Sequence, residues 1–347
     1  MFFFHINNME DYIGMKKIKT EIDEKSANLC SNNDLISGNP DRPIYLSDYI
    51  GQESICKNLK TSIKAAKIMN KSLGHILFCG PPGLGKTTLA NIVANEMGVK
   101  IKTINGPNIE RQGELAALLS SLNDGDILFI DEIHRLPKFI EEILYSAMED
   151  YRLDIIIGEG QQSKSISLNL PKFTLIGATT KTGIISKPLK DRFQMIFHME
   201  YYTEKELGKI IKKVISRYNI KIESGIPILI ASYCRETPRI AIHIVKRIMD
   251  YAIVNELSIL KEHDIKNILL ELGYYEDGLT NLDIKYINYL RKTKTASGLK
   301  TIASYLGETP DSIEQDIESY LIRKGYVIVT PRGRLLREFM EEENRHA

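Results

Sequence analysis

The run Gly80-Pro81-Pro82-Gly83-Leu84-Gly85-Lys86-Thr87 is a complete G-x-x-x-x-G-K-[ST] phosphate loop, and it constrains this chain more than any other stretch. Ahead of it, His75-Ile76-Leu77-Phe78-Cys79 reads as a short buried strand. Behind it, Lys86 to Met97 places Leu89, Ile92, Val93 and Met97 on one helical face, and Gly98 is a natural terminator. Strand, glycine loop and helix in that order let backbone N–H groups curl around a polyphosphate at a helix N-terminus. Lys86 is placed to neutralise the β- and γ-phosphates, and the Thr87 hydroxyl to bind magnesium. The expected ligand is a nucleoside triphosphate. A Gly/Pro turn that merely resembles the motif would not explain the strand and helix on either side.

A second signature follows 45 residues beyond Lys86. Asp126-Ile127-Leu128-Phe129-Ile130-Asp131-Glu132 is an apolar run ending in two carboxylates, as expected of a buried parallel strand that delivers acids to the phosphate edge. Asp131 suits the magnesium shell, and Glu132 suits a general base that orients the attacking water. Another apolar strand, Phe173 to Ala178, ends in Thr179-Thr180. A hydroxyl there can sense the γ-phosphate or simply terminate a strand. Arg192, in the run Pro188 to Phe193, can reach a neighbouring subunit's nucleotide or pair locally, and the residues alone leave both open. Between these strands, Leu153 to Ile157 and Ile166 to Leu170 flank a Gly-rich octet, which predicts an inserted β-hairpin. Its apolar face either packs on its own domain or forms a ridge for a partner.

A chain of 347 residues has room for two or three domains. The formal charge of +1 gives no bulk attraction to nucleic acid or membrane, so any basic surface must be local. The four cysteines show neither metal-ligand spacing nor a disulfide framework. With no apolar stretch of membrane-spanning length and no signal-peptide core, a cytoplasmic location and no membrane partner are expected. Residues 1–39 are polar and aperiodic and read as a flexible extension. The expected architecture is α/β: a P-loop core with a parallel sheet over 40–200 carrying the hairpin at 153–170, a small all-α lid over 201–272, and a winged helix over 273–347.

The lid begins at Thr203-x-x-Glu206, a capping-box pattern followed by an apolar stripe from Leu207 to Ile215. Further helices are expected over Pro227–Tyr233, Arg239–Asn255 and Lys261–Leu272. Arg239 falls in a first helical turn, where the dipole disfavours a cation, which hints at a phosphate partner. The last unit reads as helix (Leu299 to Leu306), turn, helix (Ser312 to Arg323), strand (Tyr326 to Val329) and the basic turn Thr330-Pro331-Arg332-Gly333-Arg334. Its 11 Lys/Arg stand against 12 Asp/Glu, so its cations matter by clustering: at Arg291-Lys292-x-Lys294, and at Arg323-Lys324 with Arg332, Arg334 and Arg337. The basic turn favours duplex DNA.

These residues together resemble the RuvB family of Holliday-junction branch-migration motors, within the AAA+ ATPases. The carriers are GPPGLGKTTLANIVANEMG from Gly80, LFIDEIHRL from Leu128, EDYRLDIIIGEG from Glu149, FTLIGATT from Phe173, TPRIA from Thr237 and TPRGR from Thr330. The resemblance implies a homo-hexameric ring that uses ATP and Mg2+ to drive double-stranded DNA at Holliday junctions in recombination and repair, including the SOS response. It also implies RuvA as partner and RuvC in a larger complex. It assigns Arg192 to a trans-acting arginine finger, Thr180 to the first sensor and Arg239 to the second. Asp41, Arg42, Ile50, Gly83, Gly85, Lys86, Thr87, Thr88, Glu149, Asp150, Tyr151, Arg192, Tyr202 and Arg239 fall at nucleotide-binding positions. Ile166 and Leu168 match the RuvA-binding hairpin surface, and Arg332 and Arg334 the wing's DNA contacts. The chain departs from the family pattern at Asp41, Lys190, Gln194, Glu236 (for Gly) and Val329 (for Arg). A clamp-loader-type ATPase shares the core but would not need the basic winged helix. A DNA-binding regulator switched by ATP would not need Glu132.

Overall fold

The computed structural model describes residues 42–157, 164–218 and 220–338. The expectations for residues 1–39, for Asp41 and for the hairpin tip at 158–163 lie outside them. The described chain falls into two compact units that divide between Tyr201 and Tyr202.

In the first unit, α1 (Glu53–Met69) precedes β1 (Ile76–Cys79), the phosphate loop and α2 (Lys86–Met97). Gly98 ends α2 in the left-handed region and donates its N–H to the Ala94 and Asn95 carbonyls. Then follow β2 (Ile101–Asn105), α3 (Gln112–Ser120), β3 (Ile127–Asp131), a 3₁₀ turn (Ile133–Arg135) and α4 (Lys138–Glu149). After β4 (Arg152–Ile157) and β5 (Lys164–Asn169) come β6 (Thr174–Thr179), α5 (Lys187–Asp191) and β7 (Met195–His198). Five strands form a parallel sheet in the order β2-β3-β6-β1-β7. Every residue of β1 and β6 is buried, as expected of central parallel strands covered on both faces. β2 and β7 carry alternating or partial burial and lack a continuous apolar run.

His75, at the mouth of β1, is buried and ties three elements together. Its Nδ1 accepts from the Leu175 N–H at 2.8 Å, so Nε2 carries the proton and donates to the Met148 carbonyl at 3.1 Å. Burial pushes its pKa below the ordinary value. Gln194, one of the departures from the family pattern, accepts from the His75 backbone N–H.

β4 and β5 pair antiparallel with Leu153 opposite Leu168 and Ile155 opposite Ile166. Leu153 and Leu170 are buried in the main core, and Leu168 packs against that same core. The base of the hairpin therefore belongs to the fold. Leu168, expected on a partner-facing ridge, is half-buried and packs against that core beside Leu153, its cross-strand neighbour.

In the second unit, Thr203 caps α6 (Glu204–Ile215) with the reciprocal Glu206 contact that its spacing predicted. β8 (Lys221–Ile222), α7 (Ile226–Ser232), α8 (Pro238–Val254), β9 (Ile259–Leu260) and α9 (Glu262–Glu271) follow. Beyond them come α10 (Asn281–Thr293), α11 (Leu299–Leu306), α12 (Pro310–Ser312), a wider π winding over Ile313–Glu318 and α13 (Ser319–Arg323). The antiparallel ribbon of β10 (Val327–Thr330) and β11 (Gly333–Leu336) closes the winged helix around a core that includes Tyr286, Leu290, Ile302, Ile313 and Leu321.

Candidate active site

Strand order brings the signatures together. β6 lies between β1 and β3, so the phosphate loop, Asp131 and Thr179-Thr180 all sit at the C-terminal edge of three neighbouring strands. Gly85 takes φ 104°, and a Cβ there would meet the Tyr49 hydroxyl at 2.7 Å. Lys86 is buried, with Nζ donating to the carbonyls of Gly80 at 2.7 Å and Pro81 at 2.9 Å. The Thr87 hydroxyl donates to Asp131 Oδ2 at 3.5 Å, and Thr88 follows it on α2. A hydroxyl and a carboxylate this close suit a magnesium ion completed by phosphate and water oxygens.

Glu132 leaves β3 in the left-handed region, at φ 50° and ψ 42°, a costly conformation for a residue with a side chain. Its N–H donates to Asp131 Oδ1 at 2.9 Å. Gly106 makes the turn fit, since a Cβ there would lie 2.6 Å from the Glu132 carbonyl oxygen. Thr180 Oγ1 donates to Glu132 Oε2 at 3.4 Å, and His134 Nε2 lies 3.2 Å from that same oxygen. Reading the sequence gave His134 and Gly106 no role. His134 stands in the contiguous run Asp131-Glu132-Ile133-His134, whereas only tertiary contact reveals Gly106.

The segment before α1 lies on the phosphate-loop helix. Asn95 donates to the Ile44 carbonyl, Glu96 accepts from the Leu46 N–H, and Tyr49 donates to the Leu84 carbonyl. Gln52 exchanges two hydrogen bonds with the Glu200 backbone. Arg42, exposed, and Ile50, half-buried, belong to this strap.

Arg192 caps α5 and meets residues of α4 and α5. Its Nη2 pairs with Glu149 Oε2 at 2.9 Å, Nη1 donates to the Pro188 carbonyl at 3.0 Å, and the guanidinium lies 4.9 Å from the Tyr145 ring centroid. Its buried Nε has no partner among the described residues. Glu149 and Asp150 close α4, and Tyr151 follows at φ 52°. The Tyr151 ring packs edge-on to Phe173 at 5.9 Å.

In the second unit, Tyr202 is buried with its N–H on the Glu236 carbonyl, and Arg239 is exposed in the first turn of α8, which carries no acid. Arg332 is exposed in the tight turn between β10 and β11. Arg334 differs from the loop-tip guanidinium expected of it. Its Nε donates to Glu318 at 2.9 and 3.1 Å, and its Nη2 donates at 3.1 Å. The Glu318 side chain is 2% exposed and that of Arg334 17%, and Tyr286 donates to the same carboxylate at 2.7 Å. Burying Glu318 without a cation would be costly, so Arg334 turns inward.

Comparison with known proteins covers the same ranges. The description "Holliday junction DNA helicase RuvB P-loop domain" matches residues 41–199, "RuvB AAA lid domain" residues 202–273, and "RuvB C-terminal winged helix domain" residues 276–338. The "Holliday junction branch migration complex subunit RuvB" of Campylobacter fetus is 50% identical over 295 residues, 85% of this chain and 86% of that protein. Its counterpart in Campylobacter hominis is 51% identical over 296 residues, 85% and 87% of the two chains. The solved structure titled "Thermotoga maritima RuvB Holliday junction branch migration motor" matches with a TM-score of 0.77 at 39% identity, covering 88% of this chain and 98% of that one. Family matches that run through both units, over a site whose geometry fits nucleotide hydrolysis, establish that the chain belongs to the RuvB family of AAA+ ATPases.

Proposed function

We propose that this chain is the ATP-hydrolysing subunit of a homo-hexameric ring that, with RuvA and within a larger complex holding RuvC, drives branch migration of Holliday junctions. The observation that carries the reading is the convergence of Lys86, Thr87, Asp131, Glu132 and Thr180 on one sheet edge, in a chain that also bears a winged helix.

Within one subunit, the phosphate-loop amides and Lys86 hold the β- and γ-phosphates. Thr87 and Asp131 would hold Mg2+, which when bound would supply positive charge beside the phosphate oxygens. Glu132 takes the proton of the attacking water while Thr180 holds its carboxylate. Arg42, Ile50 and the rest of the strap line the nucleotide base. Arg192, paired with Glu149 in its own subunit, exchanges that partner for the nucleotide of the next subunit and so serves as the trans-acting finger. In that interface Glu149, Asp150 and Tyr151 act with it. Arg239, exposed at a helix start with no acid beside it, serves as the second sensor, with Tyr202 supporting the entrance to its domain. Exposed Arg332 is the phosphate-facing residue of the wing, and Arg334 shapes the turn from behind. Such contacts carry no base preference, as a sliding motor requires.

The decisive experiment moves a synthetic four-way junction with purified protein, RuvA and ATP. Wild type should migrate the junction, and Glu132→Gln should bind ATP with near wild-type affinity yet lose turnover by ~10²-fold or more. Wild-type turnover in Glu132→Gln would remove the base from the mechanism, and a static junction would remove the motor.

A further inference from the structure

We propose that His134 is a positioning residue for ATP hydrolysis: its imidazole grips the Glu132 carboxylate and ties it to Thr179 at the end of β6, the strand that also delivers Thr180. This rests on Glu132 acting on the attacking water.

The ring bridges two signatures that are far apart in sequence. Nε2 lies 3.2 Å from Glu132 Oε2, and Nδ1 lies 3.0 Å from Thr179 Oγ1. Its side chain is 7% exposed, so these contacts are shielded from water. Bond polarity follows from the donors. An ionised carboxylate only accepts, so Nε2 carries the proton. Burial lowers the His134 pKa, with Glu132 opposing that shift, which favours the neutral ring, and Nδ1 is then an acceptor. Thr179 must therefore donate to Nδ1, and its oxygen in turn accepts from the Lys181 N–H at 3.0 Å. The result is one directed chain: Lys181 N–H to Thr179 hydroxyl, Thr179 hydroxyl to His134, His134 to Glu132.

Both side-chain donors to Glu132, His134 and Thr180, fall on Oε2. Oε1 has no partner among the described residues and is left for a water. The Glu132 carboxylate hangs from a left-handed backbone turn just past β3, and the hydrogen bonds from His134 and Thr180 are what orient it. Any shift of β6 as Thr180 meets the γ-phosphate is transmitted through Thr179 and the ring to the oxygen that does the chemistry. A merely structural role, holding the 3₁₀ turn Ile133–Arg135, would leave turnover and binding affected in parallel.

The test measures nucleotide affinity by titration and turnover by single-turnover hydrolysis on the full chain with duplex DNA. His134→Ala should keep nucleotide affinity within about 2-fold while the hydrolysis rate falls ~10- to 100-fold, the cost of a misplaced catalytic group. His134→Gln, which can still reach Glu132 with an amide N–H, should recover part of the rate. In a Glu132→Gln background, His134→Ala should cause no further loss. Thr179→Val should slow hydrolysis and Thr179→Ser should not, which tests the relay with the ring intact. A His134→Ala rate within about 2-fold of wild type, a full-size loss in the Glu132→Gln background, or an equal loss of affinity would each overturn the proposal. Normal turnover in Glu132→Gln itself would instead strike the base assignment beneath it.

Discussion

His75 and Glu132 illustrate how much a single buried group depends on its immediate partners. His75 is a neutral ring fixed by one acceptor and one donor bond, and protonation would force Nδ1 to present a hydrogen to the Leu175 N–H. Its folded pKa lies below the unfolded value of 6.5. The unfolded chain therefore binds the extra proton first on acidification. The stability is fully present above pH 6.5 and is lost as pH falls from there through the lowered folded value. His134 acts with the same sign. Melting temperature should fall on acidification below that point. His75→Gln should melt lower at neutral pH but show a shallower acid dependence, and an unchanged slope would reassign the acid sensitivity to other groups. At Glu132, the strained backbone is kept in place by Gly106, by the Asp131 side chain and by the Arg135 N–H on its carbonyl.

Two elements change meaning once their packing is known. In the β4–β5 hairpin Leu168 packs against the core at the base, and Ile166 pairs with Ile155 one step further out, where the proposed RuvA surface begins. Leu168→Asp should destabilise the first unit by ~2–4 kcal/mol, a buried-charge and cavity cost, whereas Ile166→Asp should leave melting nearly unchanged and abolish RuvA association. Equal melting losses in both variants would make the whole hairpin core. The loop before α8 is the second case. Arg235 pairs with buried Asp283 and donates to the Gly278 carbonyl, while Glu236 pairs with Arg323 at 3.0 Å and Lys324 at 3.2 Å. This clasp joins the lid helices to the winged helix. Glu236 sits at φ 59°, a conformation that glycine adopts freely, and its half-exposed pairs are worth only ~0.2–1 kcal/mol. Glu236→Gly should therefore be near neutral in a melting assay. Asp283→Ala should cost about 3–5 kcal/mol, because it strands Arg235 and removes the Thr280 cap of α10. A loss below ~1 kcal/mol there would mean the clasp contributes little.

At the scale of the whole molecule, the central question is whether catalysis crosses subunits. Arg192 is held by Glu149 and Tyr145, whereas Glu132 is held by Thr180 and His134, so the proposed finger shares none of these partners with the proposed base. An arginine supplied in trans can be worth ~10³-fold in turnover. Arg192→Ala subunits should bind ATP and poison mixed rings, so activity should fall faster than the mutant fraction in a titration of the two proteins. A strictly proportional fall would confine hydrolysis to single subunits.

What could be read from the sequence alone was whatever lies contiguous along the chain. The phosphate loop, the helix from Lys86 to Met97 with its Gly98 stop, the Asp131-Glu132 strand end and the Thr203 cap are local patterns, and each stands where its spacing predicted. Edge strands β2 and β7 escaped notice because partial burial leaves them no long apolar run. Partner choice was also out of reach. Lys86 and Glu132 meet at one edge only because β6 inserts between β1 and β3. Arg192 finds Glu149 across 43 positions, and Arg334 turns from solvent to Glu318 because a buried carboxylate demands a cation. A charged side chain's role is set by the nearest opposite charge and by water's access to it, and both are decided by how distant segments pack.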